Sequence, residues 1–343
     1  MARCIFRDDA VVSDYGRPYV VAEVNSSHNG NVDVAKQMVD VAAEIGADCV
    51  KFQSWSEESL YSKTYYDANP ISKKIVKKMS LTPGQLKEIA DYCREKGIAY
   101  SSTPYSEEEV DFLIHECSAP FVKIASMEIN NYEFLRYIGG KGVPVVLSTG
   151  MSSMDEVEKA VAVLRRAGVT QMTILHCVSI YPTLLTSVNL NNILGLREKF
   201  PEYPIGFSDH TEGDAAAVAA VALGAGLIEK HLTLDKLKVG MDNGMATEPE
   251  EFGRMVQKCR NIQLAIGSKE RVVTPEELEQ RKNMRRSIIA AVSIPCGKII
   301  DKADLYAKRP GTGISPDRME ELIGKTAVRD IMADTLINED DFK

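Results

Sequence analysis

The 343 residues are 44% hydrophobic and 26% charged, and 41 Lys and Arg against 49 Asp and Glu give a formal net charge of −8. That balance excludes a disordered or collagen-like chain, and it excludes a general electrostatic grip on nucleic acid or anionic lipid, so any bound anion must be held by a local cluster. The opening MARCIFRDDA carries charges where a signal peptide needs an apolar stretch, and no run of about 18 apolar residues occurs. The expectation is a cytoplasmic protein with no membrane span and no nucleic-acid partner.

In chain order, short β-branched runs alternate with longer amphipathic stretches, the pattern of βα units around a parallel sheet. The runs are PYVVAEV (18–24), ADCVKFQ (47–53), GIAYSST (97–103), APFVKIA (119–125), VPVVLST (143–149), QMTILHC (171–177), YPIGFSD (203–209) and AGLIEKHL (225–232). Helices are expected near 31–45, 82–96, 106–117, 130–139, 152–166, 189–199, 213–223 and 248–266. Pro83 in LTPGQL suits a first helical turn, and Ser106 followed by Glu109 reads as a capping box. Eight such units predict an α/β fold, a (β/α)8 TIM barrel over residues 1–266. Residues 267–286, with TPEELEQRKNMRRS, read as a charged helical linker. Residues 287–343 read as a small domain with the strands SIIAAVSI, PCGKII and LYAKRPGTGI, a helix SPDRMEELIG and a last stretch ending TLINEDDF. So small a unit is weakly stable without packing on something.

The barrel runs turn polar at their carboxyl ends: Glu23; Lys51 and Gln53; Ser101 and Thr103; Lys123; Ser148; His176; Ser208 and His210; Glu229 and His231. With a side-chain period of two, 51/53, 101/103, 208/210 and 229/231 each share a face, and all can converge on the barrel mouth where such enzymes react. Lys51 and Lys123, with Ser126, Ser148, Thr149, Thr103 and Ser208 as hydroxyl donors, suit a small dianion or trianion carrying a phosphate and a carboxylate. STGM (148–151), read as leading straight into a helix, offers further backbone N–H groups.

His210 and His231 end consecutive strands. Two neutral imidazoles suit Mn, Co, Fe or Zn and leave coordination positions open, which describes a Lewis-acid site; the other reading is a pair of hydrogen-bonded core histidines. Asp209, Glu229 and Asp242 flank them. Glu23 and Glu128 can act as bases or orient water, or balance the lysines as ion pairs. His28 falls on the loop after the first strand, His115 on a helix surface, and His176 beside the site. Cysteines 4, 49, 93, 117, 177, 259 and 296 lack ligand spacing and read as buried thiols, with Cys177 alone near candidate chemistry.

At AEVNSSHNGN, KFQ, STPYS, FVKIAS, LSTGM, LHCVSIYPT, GFSDHT and EKHLTLD, in that order, the chain resembles the sialic acid synthase family, the phosphoenolpyruvate-dependent nonulosonate synthases. KRPGTGI (308–314) matches the motif of their C-terminal antifreeze-like (SAF) domain. The resemblance implies a metal-dependent N-acetylneuraminate synthase type of transferase in sialic acid biosynthesis. Such an enzyme condenses phosphoenolpyruvate with the open-chain aldehyde of an N-acyl hexosamine, N-acetylmannosamine or a related bacterial sugar, to give a nine-carbon 3-deoxy-2-keto acid and phosphate.

Carried over, His210 and His231 bind a divalent metal, Mn²⁺ foremost with Mg²⁺ and Co²⁺ as alternatives. Lys51, Thr103, Lys123, Ser126, Ser148 and Ser208 hold phosphoenolpyruvate, while Gln53, Tyr181, Glu229 and Asp242 face the amino-sugar acceptor. Glu23 and Glu128 handle protons or the attacking water. The SAF domain is implied to swap across a homodimer and to place Arg309 over the partner's barrel; read alone, the Arg-Pro-Gly turn is a packing device.

The segment GMDNGMATEP (240–249) departs from the family pattern GPDHxxSLEP, with Asn243 and Thr247 at the His and Ser positions. This puts N-acetylmannosamine specificity in doubt and leaves legionaminic, pseudaminic and non-acylated acceptors open. Alternatives are a related synthase acting on a different or phosphorylated aldose, and a Schiff-base aldolase using Lys123 or Lys51. The non-enzymatic alternative is a carbohydrate-binding or ice-adhering protein on a dead barrel.

Overall fold

The computed structural model describes residues 2–343 and divides into two compact units, Met1–Gly267 and Ser268–Lys343. The first opens with a short antiparallel hairpin, β1 (Arg3–Ile5) and β2 (Val11–Ser13). Eight parallel strands follow: β3 (Tyr19–Glu23), β4 (Cys49–Gln53), β5 (Ala99–Thr103), β6 (Val122–Ile124), β7 (Val145–Ser148), β8 (Met172–Cys177), β9 (Ile205–Asp209) and β10 (Leu227–His231). Their hydrogen-bonded order is β5-β4-β3-β10-β9-β8-β7-β6. The seam between β5 and β6 carries a side-chain bond from Ser101 Oγ to the Phe121 carbonyl (3.2 Å), so the sheet is a nearly closed barrel. Each of the eight expected runs contains one of these strands, and a helix follows every one.

Between strands and helices lies an aliphatic core that includes Val20, Ala22, Val50, Leu113, Ile124, Leu135, Ile174 and Phe252. A second cluster fills the barrel floor, where Phe6 of the hairpin packs at ring-centroid distances of 5.2 Å from Tyr19 and 4.5 Å from Phe121. The sequence reading did not anticipate this plug, because two three-residue strands carry too little periodicity to register. It also missed the helices Lys63–Ala68 and Pro70–Met79, inserted after β4. There Ile71 is 73% and Ile75 40% exposed, which blurs the amphipathic stripe.

Local signals fared differently. Thr82 and Gln85 form a full capping box ahead of Pro83, whereas the Ser106–Glu109 pair forms only half of one. The Ser106 hydroxyl accepts from the Glu109 N–H, but the Glu109 carboxylate turns to the Tyr105 N–H (2.6 Å) and the Ser59 hydroxyl (2.7 Å). The helix after β7 starts at Met154, later than STGM suggested, and is closed by its own Ser153–Glu156 capping box.

In the second unit the stretch read as a linker contains the helix Pro275–Met284, capped by Thr274. β11 (Ser287–Ala290) pairs antiparallel with β12 (Leu305–Lys308) over a core of Ile288, Ile294, Ile300, Leu305, Ile331 and Ile337. The expected helix at SPDRMEELIG is a 3-10 segment, Pro316–Glu321. Six of the seven cysteines are buried as expected; Cys296 is exposed. Among the described residues no helix is long and apolar enough to cross a membrane.

Gly226 shows how tightly the hairpin seats. A Cβ there would meet the Ser13 carbonyl oxygen at 2.4 Å, a backbone atom with nowhere to move. Gly226→Ala is expected to cost roughly 1–3 kcal/mol in chemical denaturation and to speed amide exchange in residues 3–13; unchanged stability would remove the hairpin as a structural plug.

Candidate active site

The strand register sets the site. Glu23 lies level with Lys51 on one side and His231 on the other, Gln53 with Thr103, and Ser208 with both Glu229 and Cys177. Period-two alternation then sends these side chains into one cavity of about 330 Å³ at the carboxyl ends of the strands.

The floor is ionic and buried. Lys51, Lys123, Glu23 and Glu229 are each no more than 5% exposed. Lys51 Nζ pairs with Glu23 Oε2, donates to Thr103 Oγ1 (3.1 Å) and lies 3.7 Å from Glu229 Oε2. Lys123 Nζ donates to Ser148 Oγ (2.8 Å) and lies 3.6 Å from Glu229 Oε1. Ser208 Oγ donates to that same carboxylate oxygen (3.0 Å). Glu229 is thus shared between two ammonium groups, and its Oε2 has no hydrogen-bond partner.

Burial works against every charge here, and the neighbours decide each outcome. Burial opposes the Glu229 carboxylate, yet Lys123 and Lys51 pull its pKa below the usual range. Burial and the like charge of Glu229 lift Glu23 above it, although Lys51 opposes the rise. Burial also opposes the Lys51 ammonium, but Glu229 and Glu23 raise its pKa. Lys123 is lowered by burial and by repulsion from Lys51.

The imidazoles stand together, with ring centroids 5.4 Å apart and planes at 68°. His210 Nδ1–H donates to the Val178 carbonyl (2.8 Å), so that in the neutral ring Nε2 carries the lone pair. Burial opposes the imidazolium, but the Cys177 thiol at 4.0 Å and this carbonyl lift its pKa. Burial and repulsion from His210 hold His231 neutral, well below the ordinary histidine value, and its Nδ1 lies 3.8 Å from Asp242 Oδ2. Burial raises the Asp242 carboxyl, against a hydrogen bond from Asn25. The Tyr181 ring lies 4.2 Å from that of His210 between centroids, tilted by 37°.

A divalent cation fits this donor set: one imidazole with a fixed tautomer, one kept neutral, and the unpartnered Glu229 oxygen in the same cavity. Among the described residues no group of three or more His, Cys, Asp or Glu converges as a closed metal cage. A cation held by the two imidazoles would therefore keep open positions, as a Lewis-acid site requires.

Of the residues singled out from sequence, Glu23, Lys51, Gln53, Thr103, Lys123, Ser126, Ser148, Tyr181, Ser208, His210, Glu229, His231 and Asp242 all line the cavity. Others do not. Glu128 accepts from its neighbour Asn131 (2.8 Å) on the 3-10 turn Ser126–Glu128 and is not part of the wall. Arg309 belongs to the second unit, where its exposed side chain donates from Nε to the Met284 carbonyl (3.0 Å).

His176 faces away from the cavity and bonds the Val188 carbonyl through Nε2 (2.6 Å); alternation gives the wall to Cys177 instead. Asp209 likewise turns outward to a buried pair with Lys230 (2.7 Å). His28, buried and pushed down to about 4 by desolvation, accepts from the Gly30 N–H, and His115 is exposed. The Gly150 N–H, expected to face an anion, is taken by Ser126 Oγ (2.9 Å). Sequence reasoning missed Asn25, Tyr61, Tyr105, Met151 and Ser179 on the wall, because loop residues carry no period.

The loop 240–249 corrects a second expectation. Met241 and Asp242 line the cavity, but Asn243 is buried within the loop, donating to the Asp235 and Lys238 carbonyls and accepting from Thr233. Asn243 therefore shapes the loop and does not line the cavity.

Against known proteins, residues 38–271 match the NeuB family and residues 285–343 the SAF domain. The chain is 37% identical over 331 residues to the N,N'-diacetyllegionaminic acid synthase of Campylobacter jejuni, covering 93% of this chain and 98% of that protein. It is 34% identical to the human N-acetylneuraminate-9-phosphate synthase, covering 94% and 92%. The crystal structure of the Bacillus subtilis spore coat polysaccharide biosynthesis protein spsE superposes with a TM-score of 0.69 at 35% identity, covering 100% of this chain and 99% of that one.

Removing the shared carboxylate tests the floor. Glu229→Gln leaves two buried ammonium groups short of a counter-charge and is expected to cost about 3–5 kcal/mol at pH 7, partly recovered by millimolar inorganic phosphate. Since the Glu229 carboxyl lies below its usual 4.5, its contribution is present above that pH and fades as the pH falls further. Wild-type denaturation behaviour at pH 7 would contradict this.

Proposed function

The chain belongs to the NeuB family, and from that membership we propose that it is a transferase condensing phosphoenolpyruvate with the open-chain aldehyde of an N-acyl hexosamine. The products are a 3-deoxy-nonulosonic, sialic-type acid and phosphate. One observation carries the reading: a buried floor of Lys51 and Lys123 sharing Glu229, in the same cavity as the His210–His231 pair.

Lys51, Lys123, Thr103, Ser126, Ser148 and Ser208 take the phosphate and carboxylate of phosphoenolpyruvate, while Gln53, Tyr181, Glu229 and Asp242 orient the sugar. His210 and His231 would hold a divalent cation, Mn²⁺ in the first instance, which would supply Lewis-acid polarisation of the aldehyde carbonyl. Carbon 3 of phosphoenolpyruvate then bonds to the aldehyde carbon, whose oxygen takes the proton of the Glu23 carboxyl, leaving it a carboxylate. Water adds to the cationic carbon 2 and yields its proton to Glu23, a carboxyl raised by burial. The hemiketal phosphate breaks its C–O bond, the carbon 2 hydroxyl becoming the keto group as its proton leaves with the phosphate. The lysines already face the oxygens on which charge accumulates, and such preorganisation supplies the main rate term.

Among the described residues lining the cavity the only lysines or arginines are the two on the floor, which favours an acceptor without a phosphate of its own. The homodimer with exchanged SAF domains is part of the same proposal, with Arg309 of the partner subunit at the acceptor's N-acyl group.

Phosphate release from phosphoenolpyruvate, Mn²⁺ and a panel of N-acyl hexosamines tests the assignment; release with no acceptor in a broad panel would refute it. His210→Ala and His231→Ala are each expected to abolish metal-dependent turnover, and retention of most activity would remove that residue as a ligand. Arg309→Ala is expected to raise the acceptor KM with little change for phosphoenolpyruvate; an unchanged acceptor KM would contradict the exchange. Lys123, with its lowered pKa, also suits Schiff-base chemistry. Borohydride trapping of pyruvate on the protein, with activity surviving EDTA, would establish that mechanism instead.

A further inference from the structure

Gln53 lies between two groups of opposite hydrogen-bonding character. Its Nε2 donates to Glu23 Oε1 (3.1 Å), and its Oε1 accepts from the Tyr105 hydroxyl (2.6 Å). Glu23 Oε1 also accepts from the Asn25 backbone N–H (2.8 Å), while Glu23 Oε2 pairs with Lys51. A side-chain amide has one donor end and one acceptor end. With the Tyr105 O–H directed at the acceptor end, the donor end is committed to Glu23.

Tyr105 is itself fixed from two sides. Its backbone N–H donates to Glu109 Oε2, and Glu109 Oε1 accepts from Ser59 Oγ, so one carboxylate ties the residue to the segment after β4. Its ring packs with Leu60 against a separate small core of Trp55, Tyr66, Val76 and Met79, formed by that segment and its two helices. Burial, with the charge of Glu23 behind it, drives the phenol pKa well above the ordinary tyrosine value, so the hydroxyl stays protonated and keeps donating. The Tyr105–Gln53 bond is therefore a polar link between the helical insertion and the charged floor.

We propose that Tyr105 is a positioning residue for the condensation, acting through the Gln53 amide to hold the Glu23 carboxylate in place beside Lys51. Its catalytic consequence rests on the synthase reading above, since Glu23 receives the proton of the attacking water there. Tyr105→Phe keeps the ring and its packing and deletes only the hydroxyl. Gln53 Oε1 then loses its donor, and the amide is free to rotate away from Glu23.

Two measurements test this. Crystal structures of the unsubstituted protein and of Tyr105→Phe should show the Gln53 amide withdrawn from Glu23 in the variant, with the Trp55–Met79 core unmoved; an amide still bonded to Glu23 overturns the proposal. In kinetics, Tyr105→Phe should lower kcat/KM for the acceptor roughly tenfold, while the unfolding midpoint stays within about 2 °C. In a Gln53→Ala background the same substitution should cost less than about twofold, because its effect runs through the deleted amide. An equal loss in both backgrounds, or no loss in either, overturns the proposal. No turnover by the unsubstituted protein counts against the synthase reading, and the crystallographic comparison then decides the positioning role by itself.

Discussion

The structure is organised around a carboxylate buried between two ammonium groups. Glu229 lies 3.6 Å from Lys123 and 3.7 Å from Lys51, with all three side chains buried. Desolvating such charges costs several kcal/mol each, a cost offset as donors and acceptors around them find partners. Thr103, Ser148, Ser208 and Glu23 provide those partners, each from its own strand. A cluster assembled this way needs a scaffold that delivers strand ends from all round a ring to one point, and the barrel does so. The unpartnered oxygen of Glu229 and the surplus donors of the lysines remain as unsatisfied capacity, which a small polyanion and a cation can use together.

The barrel was legible in the sequence because parallel strands and helices repeat a hydrophobic pattern eight times, and register follows once that pattern is read. Alternation correctly sent 51/53, 208/210 and 229/231 into the mouth. His176, placed beside the site by its residue type alone, lies on the other parity: Cys177 faces inward, and the histidine bonds the Val188 carbonyl outside the barrel. Asp209 failed similarly, drawn outward to Lys230. In both cases the residue type suggested chemistry while its parity assigned it to packing.

Loops resisted reading for a different reason. Their side chains are placed by caps, turns and hydrogen bonds whose partners are distant in sequence. Glu109 illustrates this: three residues after Ser106 it suggests a capping box, yet its carboxylate reaches Tyr105 and Ser59. Asn243 illustrates it again, since its amide is spent on the Asp235 and Lys238 carbonyls. Its substitution for histidine thus concerns the shape of the loop, and Asp242 beside it carries the contact with the cavity. The N-terminal hairpin escaped because its strands are three residues long, although Phe6 closes the barrel floor.

The central claim is that the Lys51–Glu229–Lys123 floor is the anion half of a two-substrate cavity. Calorimetric titration of phosphoenolpyruvate into the protein, without metal or acceptor, addresses it most directly when compared with Lys123→Met. Saturable binding in the unsubstituted protein and a weakening of roughly a hundredfold in the variant are the predicted results. Equal affinity in the two proteins would contradict the account.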